Sequence, residues 1–262
     1  DVEEDLLGDG RYSEKKKAKI LSVDLKQENK GEFQRSRTIF LGEASLYLES
    51  ENQDLLKLAQ REIGFDYAIV EDLFTKDMDI FRGKPGRFYN WTRVEGVLEL
   101  LSKLGLEPIL HCRGVEEYIL EDFVETFSPL YPEVETWIHR DEGKTVFEAD
   151  PLQDQLIGAA RMIEKRDEVP VFLDAITPQI ELDNDTFFGG AGLFTANYLS
   201  KPSFYVWKYL SLMGEEILHE GEGVLLTRSD EGIQLLLYAE KEEDSTPTRL
   251  NLFGMEEDMW IS

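Results

Sequence analysis

Short apolar runs alternate with helical apolar stripes through most of the 262-residue chain. The runs are typical of buried strands, and the stripes, in which apolar residues recur every three or four positions, are typical of helices. We predict strands over residues 18–25, 38–41, 66–70, 107–111, 133–138 and 169–173, the pattern of 133–138 being the weakest. We predict helices over residues 52–62, 90–104, 115–126 and 150–163, and from residue 202 onwards.

This alternation of strands with helices predicts an α/β fold in which helices cover a parallel sheet. Either a barrel or an open doubly wound sheet satisfies the pattern. The strands from residue 38 onwards make five strand–helix units, whereas a complete (β/α)₈ barrel needs eight units and about 250 residues for the barrel alone. A barrel built from this sequence is therefore expected to be reduced or incomplete.

The pattern becomes all-β after Gly223. Residues 224–228 and 233–238 flank the turn 229–232 and predict a hairpin, and residues 248–253 predict a third strand. We therefore divide the chain into a polar linker or tether over 1–18, a barrel-like domain over 19–217, and a small antiparallel β module over 218–262.

The charge of the chain limits its partners. With 28 Lys and Arg against 54 Asp and Glu, the net charge is −26. A negative charge of this size repels nucleic-acid phosphates, and the one basic run, Lys15 to Lys19, is too short to overcome that repulsion. We therefore expect no direct DNA binding by this chain.

The remaining composition favours a cytoplasmic protein. The single cysteine, Cys112, rules out an intramolecular disulfide framework and suits a reducing compartment. No apolar stretch has the length of a membrane span, and the N-terminal residues are not those of a signal peptide. Because the sequence opens with Asp1 rather than Met, we expect it to be a piece of a longer polypeptide.

Several phrases of the sequence are similar to those of a known family. They are Gly42-Glu-Ala-Ser-Leu46, Glu62-Ile-Gly-Phe-Asp-Tyr67, Lys76-Asp-Met-Asp-Ile80, Tyr89-Asn-Trp91, Phe188-Gly-Gly-Ala-Gly-Leu-Phe194 and the hairpin from Val224 to Tyr238. Their order over 42–110 and 185–238 resembles glycoside hydrolase family 39. That family includes β-xylosidases and the barrel domains attached to many bacterial AraC-type transcription regulators. The resemblance implies a TIM-type (β/α) barrel followed by a small β-sandwich.

The chain departs from this family where the chemistry would lie. The resemblance implies a catalytic acid/base in a Trp-Asn-Glu-Pro phrase on the fourth strand and a nucleophile in a Thr-Glu-Trp phrase near the seventh. The stretch between Gly114 and Asp150 is too short to hold both. The family's His on strand two falls at Glu71 and its Glu on strand three falls at His111, while Asp174 matches on the last strand. We therefore expect a degenerate, shortened barrel with a rebuilt pocket.

Candidate ligand-binding residues follow from where a barrel places its site. Active sites lie at the carboxyl ends of barrel strands. Glu71, Asp72, His111, Arg113 and Asp174 occupy such positions. For Glu71 and Asp72, the start of a solvated loop is the competing interpretation.

One tryptophan and the absence of metal motifs complete the set of candidates. Trp91 and Trp207 lie on apolar helix faces and are expected in the core, which leaves Trp137 as the candidate for stacking on a sugar. His111, His139 and His219 stand apart, without the spacing of metal ligands. We expect neither a metal nor a cofactor.

Three functions fit these observations. The preferred one is a glycosidase-like pseudoenzyme without hydrolytic activity, a sensory or interaction domain of an AraC-type regulator that binds a small carbohydrate and reaches DNA only through a separate upstream domain. The alternative is a divergent retaining β-glycosidase with carboxyls drawn from Glu71, Glu135, Glu142 or Asp174. The third is a structural module that completes its fold as a homodimer.

Overall fold

The computed structural model describes residues 19–26, 31–81, 89–140, 151–167, 171–173, 189–195, 197–221, 223–239 and 248–254. The chain forms two compact units. One unit comprises the described residues between Gln34 and Leu212, and the other combines the described residues up to Phe33 with those from Met213 onwards. This boundary differs from the expected division at residues 217 and 218, because the first strand belongs to the second unit and not to the barrel-like one.

The larger unit contains a five-stranded parallel sheet, as the alternating pattern predicts. Its strands are β2 (Thr38–Glu43), β3 (Tyr67–Glu71), β4 (Glu107–His111), β5 (Ile138–His139) and β6 (Val171–Phe172). The strand order is β5-β4-β3-β2-β6, and every neighbouring pair is parallel. The first four strands follow chain order, and the last returns to pair with the first, as in a barrel. Among the described residues no strand joins β5 to β6, so the structure shows a parallel sheet and not a closed barrel.

Five α-helices accompany these strands in the described part of the larger unit: α1 (Ser50–Glu62), α2 (Thr92–Lys103), α3 (Glu117–Phe127), α4 (Leu156–Glu164) and α5 (Pro202–Ser211). Four 3₁₀ helices, Ala44–Leu48, Lys76–Met78, Val134–Trp137 and Pro151–Asp154, fill connections. None of the helices among the described residues combines the length and apolarity needed to cross a bilayer.

Alternation along the central strands separates two faces of the sheet. Ile39, Leu41, Ala68, Val70 and Leu110 are almost completely buried. The residues between them, which include Phe40, Ile69 and Ile109, are only partly buried. The first face is therefore the packed core of the unit, and the second face, which would point into a closed barrel, keeps some exposure.

Three predicted elements differ in the structure. The weak strand over 133–138 is a 3₁₀ helix followed by the two-residue β5, because Val134 and Trp137 turn together into the core. The helix expected from Asp150 begins only at Leu156, after the 3₁₀ turn Pro151–Asp154. The helix expected to be capped by Asn90 is preceded by Trp91, and the Asn90 amide donates instead to the Asp79 carbonyl oxygen at 3.1 Å.

The described residues of the smaller unit form two sheets. The predicted hairpin is present as β8 (Val224–Ser229) and β9 (Gly232–Leu237), and β7 (Glu216–Gly221) adds an antiparallel strand that the pattern did not predict. The expected third strand, β10 (Thr248–Phe253), pairs in parallel with β1 (Lys19–Asp24) instead of joining the hairpin. Val23, Leu25, Leu218 and Leu226 form a buried cluster of this unit.

Candidate functional site

Two of the predicted site residues meet at the carboxyl ends of β3 and β4. The Nδ1 atom of His111 lies 3.5 Å from the Oε1 atom of Glu71, and only 11% and 9% of the two side chains are exposed. The ring of Phe40 packs against the His111 ring at 6.3 Å between centroids. The strand register explains the contact, because β3 and β4 are in parallel pairing up to Val70 and Leu110, immediately before the two residues. The two side chains, which lie 40 residues apart in the sequence, are therefore brought together by the sheet.

The loop after β3 holds Asp72 in an uncommon backbone conformation. Asp72 has a φ of 56°, in the left-handed region that residues with a Cβ seldom adopt. Its carbonyl oxygen accepts a hydrogen bond from the Thr75 hydroxyl at 3.0 Å. The Arg93 guanidinium donates to the Asp77 carbonyl oxygen at 2.6 Å, which ties the same loop to α2.

A cavity of about 350 Å³ lies between this loop and the loop that joins β4 to α3. The predicted residues Asp72, His111 and Arg113 line it, together with Glu116 and the rings of Phe81 and Tyr118. The Phe81 and Tyr118 residues are 47% and 51% exposed, so part of each aromatic residue is accessible to solvent. The volume of the cavity lies toward the lower end of the range for ligand pockets, which is roughly 300–1,000 Å³.

A cluster of aromatic side chains packs against Phe81 at the rim of the cavity. Tyr89 contacts Phe81 at 6.2 Å and Trp91 at 5.4 Å between ring centroids. The indole Nε1 of Trp91 donates to Asp122 at 2.8 Å, which joins the cluster to α3. Burial raises the pKa of the Tyr89 hydroxyl, and the nearby Tyr118 and Asp122 add to this shift. Phe81 therefore rests on an ordered aromatic surface.

Cys112 follows His111 in the chain but does not face the site. Its thiol is buried and donates to the Leu110 carbonyl oxygen at 3.3 Å. Burial raises its pKa to about 12. Because the thiolate is the nucleophilic form, this position provides no activated nucleophile.

The remaining predicted site residues do not gather at this cavity. Glu71 does not line the cavity; it lies behind His111, which does. Trp137 lies in the 3₁₀ helix before β5, is only 4% exposed and packs against Tyr131. A ring so enclosed offers no open face for stacking on a sugar. Asp174 lies outside the described residues.

The carboxyls suggested for hydrolysis are also dispersed. Glu135 is exposed on the 3₁₀ helix that precedes β5, and Glu142 lies outside the described residues. The described end of β5 carries His139 and Arg140, and the Arg140 guanidinium pairs with Glu117 at 2.9 Å. Within the described ranges no group of three or more His, Cys, Asp or Glu side chains could hold a metal ion.

Sequence reasoning missed Phe81, Tyr118 and Glu116, which join the predicted residues around the cavity. They lie in or beside loops, where no periodic pattern marks a position as important. It also missed Glu43, which the register of β2 and β3 places directly beside Glu71. For Tyr118 the sequence did hold one signal. It is an aromatic residue on the polar face of the first turn of α3, where it cannot pack into the core.

Several solved structures share this architecture. A family 39 β-xylosidase from Caulobacter crescentus superposes with a TM-score of 0.71 over 91% of this chain and 84% of its own, at 13% sequence identity. The chain has the fold of these glycosidases. A monomeric β-xylosidase from Caulobacter crescentus CB15 gives the same TM-score and coverage at 12% identity. The GH39 enzyme from Xanthomonas axonopodis pv. citri reaches 0.67 over 86% of this chain and 76% of its own, at 11% identity.

At these identities the likeness establishes the fold alone. No protein-family model matches the sequence. The expected resemblance to glycoside hydrolase family 39 is thus confirmed at the level of a glycosidase-like fold.

Proposed function

We propose that this glycosidase-like chain binds a small carbohydrate in the cavity between the β3–α2 and β4–α3 loops and does not cleave glycosidic bonds. The cavity's chemistry carries the proposal. Phe81 and Tyr118 present aromatic rings at its rim, and Asp72, Arg113 and Glu116 present planar polar groups beside them. A pyranose ring has apolar C–H faces that pack on aromatic rings, and hydroxyls that pair with carboxylates and guanidinium groups.

The absence of hydrolysis is proposed from the placement of the carboxyls. Retaining hydrolysis needs two carboxyls about 5–5.5 Å apart, one of them kept protonated by its surroundings. Asp72 and Glu116 are both exposed in the cavity wall, and neither has the apolar enclosure that surrounds a catalytic acid in such a pair. The described end of β5, the fourth strand of the parallel series, offers His139 and Arg140 in place of an acid.

Calorimetric titration with xylo- and gluco-oligosaccharides tests the binding. We expect heat with at least one sugar, and a loss of affinity of about tenfold or more in Tyr118→Ala, since a stacked aromatic ring contributes on the order of 1 kcal/mol beyond the area it buries.

Tyr209→Ala is the matched control for this titration. Tyr209 lies on α5, is 49% exposed and does not line the cavity. The absence of heat with every sugar, or an equal loss of affinity in both variants, would exclude this cavity as a sugar site.

A divergent retaining β-glycosidase is the second candidate, and one observation favours it. Glu43 and Glu71 are partners in the register of β2 and β3, at the end of the sheet where glycosidase-like folds do their chemistry. If this pair hydrolyses substrate, an aryl β-xyloside will be turned over, and both Glu43→Gln and Glu71→Gln will abolish the turnover. No release of the aryl group by the wild-type protein rules this candidate out.

We further propose that the chain serves as the sensory or interaction domain of an AraC-type regulator in the cytoplasm. The sequence resemblance over 42–110 and 185–238 supports this role. Ligand binding would act by favouring one of two arrangements of the attached domains, for which the sugar must have different affinities. The coding sequence upstream of Asp1 tests the proposal, because a helix-turn-helix domain is expected there, and another enzyme domain in that place would contradict it.

Self-association is the remaining proposal, in which a homodimer would complete the barrel-like unit. Light scattering at concentrations between micromolar and millimolar tests it directly. A mass of twice 30.2 kDa is the expected result, and a monomer throughout that range would contradict it.

A further inference from the structure

We propose that Glu71 acts through His111. It holds the imidazole proton on Nδ1 and leaves Nε2 as a hydrogen-bond acceptor toward the cavity. Glu71 is then a positioning residue, and His111 selects ligand groups that donate a hydrogen bond. The identity of the ligand rests on the carbohydrate function proposed above, whereas the position of the proton does not.

The surroundings of the two ring nitrogens differ. Nδ1 is enclosed by protein, has no hydrogen-bond partner among the described residues and lies 3.5 Å from a Glu71 carboxylate oxygen. Phe40 closes another side of the ring. His111 nevertheless lines the cavity. Because Nδ1 is enclosed, the proposal places Nε2 on the ring edge that reaches the cavity.

The chemistry of a carboxylate decides which nitrogen carries the proton. An ionised carboxylate accepts hydrogen bonds and donates none, so the ring nitrogen facing it is favoured as the protonated one. In a neutral imidazole the other nitrogen then carries a lone pair. At 3.5 Å the contact is longer than a formed N–H···O bond of about 2.7–3.2 Å, so the proposal requires the two side chains to approach each other by a few tenths of an ångström.

This arrangement has a consequence for the class of ligand. A lone pair on Nε2, backed by the Glu71 carboxylate, favours a hydroxyl or an ammonium group and disfavours a carboxylate or a phosphate. Asp72 and Glu116 in the same wall have the same preference and outnumber Arg113, whose guanidinium opposes it. We therefore infer that the cavity takes neutral or amino sugars in preference to acidic ones.

Nitrogen-15 NMR of the imidazole, recorded without any ligand at a pH where the ring is neutral, tests the proton position. In the wild-type protein we expect the Nδ1–H tautomer. In Glu71→Leu we expect a shift toward the Nε2–H tautomer that solvated histidine prefers. Glu107→Gln, an exposed carboxylate at the opposite end of β4, is the matched control and should leave the tautomer unchanged.

The wild-type spectrum decides the matter by itself should Glu71→Leu fail to fold. An Nε2–H tautomer in the wild-type protein overturns the inference. A tautomer that stays the same in a folded Glu71→Leu variant overturns it as well.

A second measurement joins the proton position to recognition. Methyl β-D-xyloside and its monodeoxyfluoro analogues are titrated calorimetrically, because fluorine cannot donate a hydrogen bond. At one ring position we expect the fluoro analogue to bind about tenfold more weakly, the scale of a single hydrogen bond, and we expect this difference to vanish in His111→Ala.

Two results would count against the selectivity. They are tighter binding of glucuronate than of the xyloside, and an unchanged fluorine penalty in His111→Ala. If no sugar binds at all, the proposed carbohydrate function fails, while the ligand-free NMR measurement still decides the role of Glu71.

Discussion

Glu71 and His111 are far apart in the chain, and each was predicted from the end of its own strand. Their contact comes from the parallel register of β3 and β4, which carries both side chains to the same edge of the sheet. Phe81 and Tyr118 were not predicted, because an exposed aromatic residue in or beside a loop has no periodic partner that would reveal it. The site residues at strand ends could therefore be predicted from the sequence, whereas the aromatic residues on the opposite side of the cavity could not.

Cys112 provides a test at the scale of one residue. Because burial raises its pKa to about 12, the thiol stays protonated at pH 8. We expect iodoacetamide to leave it unmodified in the folded protein and to alkylate it completely in urea, as measured by intact mass. Rapid alkylation of the native protein at pH 8 would contradict the burial of this side chain.

Asp72 provides a second residue-scale test through its backbone. A residue with a Cβ in the left-handed region costs about 1 kcal/mol or more, a cost that glycine avoids. Asp72→Gly should therefore have a free energy of unfolding about 1 kcal/mol greater than that of Asp72→Ala. Both variants lack the carboxylate, so the comparison isolates the backbone, and equal urea midpoints would show that φ is not constrained at this position.

At the scale of elements, the start of α4 shows tertiary structure overriding a local signal. Asp150 followed by Pro151 is a standard helix start, yet residues 151–154 form a 3₁₀ turn and α4 begins at Leu156. The Asp154 carboxylate in that turn pairs with the Lys201 ammonium at 2.5 Å and accepts a hydrogen bond from the Gly189 backbone N–H. Burial lowers the pKa of Lys201, and Asp154 opposes part of that effect.

This buried pair predicts a specific pattern of stabilities. Lys201→Met or Asp154→Leu alone leaves an unpaired charge in the interior and should lower the free energy of unfolding by about 3–5 kcal/mol. The double variant should lose clearly less than the sum of the two single losses, because neither charge is then left alone. Urea unfolding of all four proteins measures the coupling, and additive losses would mean that the two groups do not act as a pair.

At the scale of the whole molecule, the main departure from expectation is the position of β1. Its alternating pattern identified it as a strand but not its partner, which is β10 at the other end of the sequence. Leu21, Val23 and Leu25 point toward the same cluster as Leu226. The second unit therefore needs both ends of the chain, which no local pattern could show.

Substitutions on β1 test this pairing. Val23→Asp places a charge in the apolar cluster and should remove several kcal/mol of local stability, seen as faster hydrogen exchange of the β8 amides. Ile20→Asp lies on the same strand but is 63% exposed, and should change that exchange little. Similar exchange rates in the two variants would contradict the pairing of β1 with the second unit.

The class of the fold and most of its elements follow from the pattern of residues along the chain. Strand and helix periods are local consequences of backbone geometry and burial, so α1, α2, α3, the parallel strands other than β5, and the β8–β9 hairpin are predictable from the pattern of residues. The tertiary structure alone decided which elements meet: β1 with β10, Asp154 with Lys201, and Glu71 with His111. Such pairings depend on contacts between residues distant in the chain, and the free energy of those contacts outweighs the local preferences that a pattern records.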